Sequence, residues 1–365
     1  MLSPGSATTE KRFPYSAANH VTTVTGRRRQ EGIVPTTFGS LRRLLLTPQL
    51  AEVSFAGRGF PVPRSAATQR LEAVPHAVIC GFEWGLDSRS QWELERRLDL
   101  VDPEQRGFAY EGATMALTIL DAAGRGDRTR DLLLGPGQPH IFLAYIGIGF
   151  AMARLPRPLW KKVLPDLTGT PYHPTMSWLA VDGYGFDRAY FDTRRWVDEQ
   201  RVPKPYPWQG SPDYFPRAVD QGIGRALWFI HGAQPDRVAV AVGRFPGHRQ
   251  ADLWSGVGLA ATFAGGCGPD GLVTLRREAG AHQAELAQGA VFAARARAFA
   301  GFVPPHSEAS LAVLTGRSAD EAVALADGCA VAASTAGPHP PYETWRRNVR
   351  ACFGAATSQQ SADRA

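Results

Sequence analysis

The chain has 365 residues, 44% of them hydrophobic and 20% charged, a globular composition able to bury a core. Its formal net charge is +6, but Lys11, Arg12, Arg27, Arg28 and Arg29 against Glu10 and Glu31 place half of that excess in residues 1–31. Elsewhere arginine is mixed with aspartate and glutamate, which argues against a nucleic-acid partner.

Residues 1–31 have no apolar run of the secretory kind and read as a disordered basic tail. Cys80, Cys267, Cys329 and Cys352 form no CxxC pair, so small buried thiols in a reduced, cytoplasmic protein are expected. The segment "SLRRLLLTPQLAEVSF" offers Thr47 and Pro48 as a helix start. In "SQWELERRLDLV", Trp92, Leu94 and Leu98 share one helical face.

A glycine motif then recurs. Gly112 lies in "YEGATMALTIL", Gly147 in "YIGIGFAMARL", Gly183 in "VDGYGFDRAYF", Gly222 in "DQGIGRALWFI", Gly256 in "WSGVGLAATFA" and Gly289 in "AQGAVFAARAR". The intervals are 35, 36, 39, 34 and 33 residues, the length of a helical hairpin. The expected fold is all-α: about six helical-hairpin repeats forming a toroid or a curved solenoid. Residues 32–335 read as one repeat domain, and 336–365 as a C-terminal helix with a mobile tail. The 13-residue run "IFLAYIGIGFAMA" is too short to span a bilayer and fits a buried helix. Candidate second helices lie between motifs: "RPLWKKVLPDL", "QPDRVAVAVGRF" with Pro235 in its first turn, and "DGLVTLRREAG". Ser318 and Glu321 form a capping box. Trp345, Val349 and Phe353 line one side of the last helix.

Glycine within a helix costs about 1 kcal/mol against alanine, so its repetition points to close helix approach. A phosphate loop is disfavoured, because "GIGRAL" lacks the full GxGxxG pattern and follows no strand. The histidines form no metal motif, although His282, His306 and Cys267 would converge if the repeats close. No cofactor is indicated. Polar residues precede five of the six glycines: Glu111, Asp182, Gln221, Ser255 and Gln288, with Ile146 the exception. On the concave side of an array they would form one level. Glu111 and Asp182 are then candidate acid/base groups. Tyr184, Asp220, Gln221, Arg225, Ser255 and Gln288 are candidate binding residues. The structural alternative is that these side chains satisfy helix ends and inter-repeat hydrogen bonds.

The motifs "RGFAYEGA", "YFPRAVDQGIGRALWFI", "RQADLWSGVGLAATFAGG" and "LAQGAVFAARAR", with "FGSLRRLLLTPQLAEVSFAGRGF", resemble a bacterial family catalogued as a domain of unknown function and encoded beside enediyne polyketide synthases. The resemblance covers roughly residues 36–330. It implies an accessory protein of enediyne-type polyketide biosynthesis that tailors or binds a polyene or other apolar small molecule in a helical cavity. The alternative is a non-catalytic scaffold that binds a synthase or a membrane redox partner, and through that partner a membrane. The glycine spacing is also similar to that of lanthionine-forming cyclases, which are helical toroids, but their zinc-ligand pattern is missing.

Overall fold

A computed structural model of the chain describes residues 50–124 and 126–362, with side chains as far as Gly354. The readings placed on residues 1–49, the basic tail and the Thr47–Pro48 helix start, lie outside them. Among the described residues every regular element is helical and no strand occurs.

After a single turn at Leu50–Val53, α1 (Ala66–Asp87) starts at a capping box between Ser65 and Thr68. Helix α2 (Gln91–Asp99) buries Leu94 and Leu98. Trp92 does not join them: it is 68% exposed, with Arg96 over its ring. Helix α3 (Pro103–Ala123) begins with Asp102 as cap and Pro103 in the first turn, where a missing N–H costs nothing. Next come α4 (Arg128–Leu134) and α5 (Ile141–Arg154), the latter buried from Ile141 to Ala153. Then follow α6 (Trp178–Phe191), α7 (Phe215–Ile230), α8 (Pro235–Gly243), α9 (Gly247–Ala264), α10 (Pro269–Glu278) and α11 (Gln283–Phe299). Helix α12 (Pro305–Thr315) stops at Gly316 in the left-handed conformation. Helix α13 (Ala319–Cys329) starts at the Ser318–Glu321 capping box, and α14 (Pro341–Ala362) ends the described chain.

The six glycines fall within α3, α5, α6, α7, α9 and α11, each packed on the next. The contact is made by backbone. A Cβ on Gly147 would lie 2.1 Å from the Glu111 carbonyl oxygen, and one on Gly183 2.3 Å from that of Ile146. Equivalent distances are 1.8 Å for Gly222 to Asp182, 1.9 Å for Gly256 to Gln221 and 2.0 Å for Gly289 to Ser255. The residue before each glycine thus presents its carbonyl to the glycine of the following helix. The second glycine of each pair faces the other neighbour: Gly149 meets Ala180, Gly185 meets Val219, Gly224 meets Leu253 and Gly258 meets Leu286. A GxG pair is therefore a two-sided contact, one glycine per neighbouring helix, at a separation that invites Cα–H···O contacts.

The hairpins are less uniform than the glycines. Three of the five connections contain an α-helix: α4, α8 and α10. "RPLWKKVLPDL" forms only a 3-10 turn, Arg157–Lys162, and residues 192–214 form short π and 3-10 turns. Proline explains both. Pro156, Pro158 and Pro165 in one segment, and Pro203, Pro205, Pro207 and Pro212 in the other, remove the amides a helix needs. The thiols also differ from expectation: Cys80 and Cys352 are exposed, Cys80 on the outer side of α1 and Cys352 on that of α14. No helix among the described residues is long and apolar enough to cross a membrane.

Candidate functional site

Two adjoining cavities lie among the glycine helices, the first also walled by α1. The first is lined by Val74, Phe82, Met115, Phe150, Phe186 and other apolar side chains, with about 690 Å³ of empty space including its mouth. The second, about 520 Å³, is lined by Phe142, Met176, Leu179, Phe263 and Phe292 among others. Phe108, Glu111, Arg225 and Phe229 border both. The tight backbone contacts bring these residues together: Glu111 stands next to Gly112, Arg225 next to Gly224, and Phe108 one turn before Gly112.

Glu111 is 3% exposed, and among the described residues no hydrogen bond reaches its carboxyl group. Burial raises its pKa, the Arg225 charge opposes this, the Asp182 charge adds to it, and the result is about 8. Burial raises the pKa of Asp182 as well, but here the opposing charge is in direct contact. Its Oδ1 accepts from Arg225 Nε at 2.6 Å, and the guanidinium opposes the upward push of desolvation. One buried guanidinium faces two buried carboxyls. Only Asp182 hydrogen-bonds it, and Glu111, with its pKa near 8, keeps its proton at neutral pH. Arg225 Nη2 is buried with no hydrogen-bond acceptor, although it lies 2.5 Å from Asp182 Oδ1 at a poor angle.

The other polar residues of the motif are held in a second cluster. Ser255 Oγ donates to Gln288 Oε1 at 3.0 Å, and Arg346 Nε donates to the same oxygen at 3.0 Å. Gln221 Nε2 donates to Asp252 Oδ1 at 2.9 Å, and Tyr342 Oη to Gln221 Oε1 at 3.3 Å. Arg346 Nη1 also binds Asp252, Glu343 and the Tyr214 hydroxyl at 3.0, 2.9 and 2.7 Å. Burial alone would raise Glu343, but Arg346, Arg350 and Arg217 bring it down to about 2. Gln221, Ser255 and Gln288 are thus taken up by α14 and do not line the two cavities, whereas Glu111 does.

Two candidates lie apart from both groups. Asp220 pairs with Arg249, at 2.9 and 2.5 Å; burial outweighs the pairing and leaves its pKa near 6. Tyr184 lines a separate cavity with Trp160 and Trp196, under the Arg188 guanidinium. His282, His306 and Cys267 do not converge: His306 Nε2 lies 3.2 Å from the Phe263 carbonyl, and no group of three metal-ligating side chains occurs among the described residues.

The sequence reading missed Arg346, and the signal was present. On a helix, Arg346 falls about 40° from Tyr342 and about 20° from Phe353, at the border of the stripe that Trp345, Val349 and Phe353 form, taking about 100° per residue. An arginine on the border of an apolar stripe is that signal.

A family model described as "Protein of unknown function (DUF1702)" matches residues 37–353. The chain belongs to this family. The match takes in all six glycine helices, both cavities and the Arg346 cluster. No curated protein and no solved structure matches the chain.

Proposed function

We propose that this family member binds a long apolar small molecule, a polyene intermediate of enediyne-type polyketide biosynthesis, in the two cavities, and acts there as an accessory tailoring protein. The observation that carries this reading is Glu111: a buried, protonated carboxyl without a hydrogen-bond partner, at the border of two apolar cavities. An apolar pocket with few convergent polar groups is what ligand sites look like, and a carboxyl with pKa near neutrality is suited to proton transfer. In this reading Glu111 is the proton donor and Asp182 positions Arg225. Asp220, Gln221, Ser255 and Gln288 tie the helices together away from the cavities. Closure supports it as well: α11 returns to α3 through Arg297 Nη1, which donates to the Glu104 carbonyl at 2.8 Å, and to α5 through Phe299 and Phe142. We read the six glycine helices as a closed ring around the cavities, the toroidal form of the repeat. Apolar cavities bordered by a buried carboxyl favour the ligand reading over an open scaffold for a synthase or redox partner.

The test is deletion of the gene in its producing strain, with mass spectrometry of the metabolites. Accumulation of a polyene, reversed by the intact gene and not by Glu111→Gln, is expected. An unchanged metabolite profile after deletion refutes the assignment.

A further inference from the structure

A third cavity lies where the two proline-rich connections meet. It holds about 840 Å³ of empty space including its mouth. Its walls are the turn after α5, the last part of α6, the segment that follows α6 and the start of α7. The lining carries Arg157, Arg188, Arg195, Arg201 and Lys204 against one carboxylate, Asp192, a net charge of +4. Among the described residues none of these five cations forms an ion pair. Of the nearby carboxylates, Asp187 is taken by Arg154 and Glu199 by Arg194, and Asp198 lines a different cavity. The two apolar cavities differ in this respect, because both of their arginines, Arg225 and Arg154, are paired.

The cations are held in place. Arg157 Nη2 donates to the Lys204 and Pro205 carbonyls at 3.0 Å each, which ties one proline segment to the other. Arg188 Nη2 donates to the Ala153 carbonyl. The Arg201 amide donates to the Arg195 carbonyl at 3.1 Å, so those two residues stand together. Three guanidinium groups lie over rings of the cavity wall: Arg157 over Trp160, Arg188 over Tyr184 and Arg201 over Trp196, at 5.0, 5.3 and 5.9 Å from the ring centres. A guanidinium stacked on a ring keeps its N–H edge for an acceptor. Like charges around one concavity repel one another and attract an anion. The guanidinium fork matches phosphate oxygens. One phosphate carries at most about two negative charges, half of the excess, so the charge count asks for two.

We propose that this third cavity binds a small molecule through a diphosphate group, held by Arg188, Arg195 and Arg201, with Arg157 and Lys204 completing the charge. The site is independent of the apolar-cavity reading. It also gives a role to Tyr184, the candidate that joins neither of the other polar groups: its ring is the platform for Arg188.

The test is calorimetry of the full chain with inorganic diphosphate, ADP, orthophosphate and citrate, at about 0.15 M salt so that distant charges are screened. Diphosphate or ADP should bind about tenfold more tightly than orthophosphate and citrate. Tighter binding of ADP marks an esterified ligand and tighter binding of diphosphate the free ion; both support the site. Arg195 and Arg201 are exposed, so their removal spares the core. Arg195→Ala and Arg201→Ala should each weaken binding about tenfold, the size of one charge-assisted hydrogen bond. Lys161→Ala and Arg194→Ala remove the same charge from positions off the lining and should change binding less than about twofold. Equal weakening by all four variants reduces the effect to bulk attraction and overturns the site. Orthophosphate or citrate binding as tightly as diphosphate overturns the diphosphate assignment. Absence of binding by both diphosphate and ADP overturns the proposal.

Discussion

Glu111 and Asp182 occupy the same place in their helices, one residue before a glycine, and burial raises the pKa of both, yet their surroundings differ. The difference lies in Arg225, which hydrogen-bonds Asp182 and only lowers Glu111 from a distance. This has a consequence for stability. The folded state keeps the Glu111 proton up to about pH 8, while an unfolded glutamate loses it near its ordinary value of 4.5. Between those values the folded chain binds more protons than the unfolded one, so this group's contribution falls as pH rises and levels off above about 8. Arg225 and Asp182 are the charges that set it. Glu111→Gln, uncharged at every pH, escapes the loss. Its melting temperature relative to the parent should rise from pH 5 to pH 8 and then stay level; a difference that does not change with pH would contradict a raised Glu111 pKa. The polar position was readable from sequence, since five of six motifs carry it. The division of labour was not, because it depends on which side chains from distant segments arrive beside each carboxyl: Arg225 at one, Arg346 of α14 at the others.

At the scale of the element, the glycines were the most legible feature. Their spacing located six helices, and their pairing follows from the need to meet one neighbour on each side. What the spacing could not convey was the connections, where proline replaced two expected α-helices by short turns. The packing account gives a paired prediction. In Gly256→Ala the new methyl would lie 1.9 Å from the Gln221 carbonyl oxygen, so α7 and α9 must separate, with a loss on the order of 1–3 kcal/mol or more. Gly243, at the end of α8, has nothing within 4 Å of an added Cβ. Gly243→Ala should leave stability unchanged or raise it by about 0.4–1 kcal/mol, because alanine restricts the unfolded chain. Denaturant titration of the two variants separates them. Equal effects would show that close approach is not what the glycines provide.

For the molecule as a whole, the decisive contact is the one between the last glycine helix and the first. Arg297 of α11 makes it: Nη1 donates to the Glu104 carbonyl of α3, and Nη2 to the Phe263 carbonyl of α9 at 2.6 Å. Its guanidinium lies 3.8 Å from the centre of the Phe263 ring. Among the described residues no carboxylate pairs with it, and burial lowers its pKa to about 10 despite the opposing charge of Glu104. Two effects therefore compete in Arg297→Met. The variant loses two charge-assisted hydrogen bonds, worth about 1.5–3 kcal/mol each at most. It also relieves a desolvated cation, and the methionine keeps apolar contact with Phe108 and Phe263. Each carbonyl has a further route to a partner: Glu104 within its own helix, Phe263 through His306. Global stability should consequently fall by no more than about 1–2 kcal/mol once these terms offset. The local effect should be larger, because Arg297 makes the direct hydrogen bonds from the start of α3 to the end of α9, leaving in the variant the indirect chain Glu104–Arg70–His306–Phe263. Hydrogen exchange resolves the two scales. Amides near Phe108 and Phe263 should exchange faster in Arg297→Met, by about tenfold per 1.4 kcal/mol of lost local protection, while those of α6 and α7 on other parts of the array stay protected. Uniform acceleration along the whole chain would instead make Arg297 an ordinary stability residue. Unchanged exchange at α3 and α9 would remove it as the link between the first and last helices.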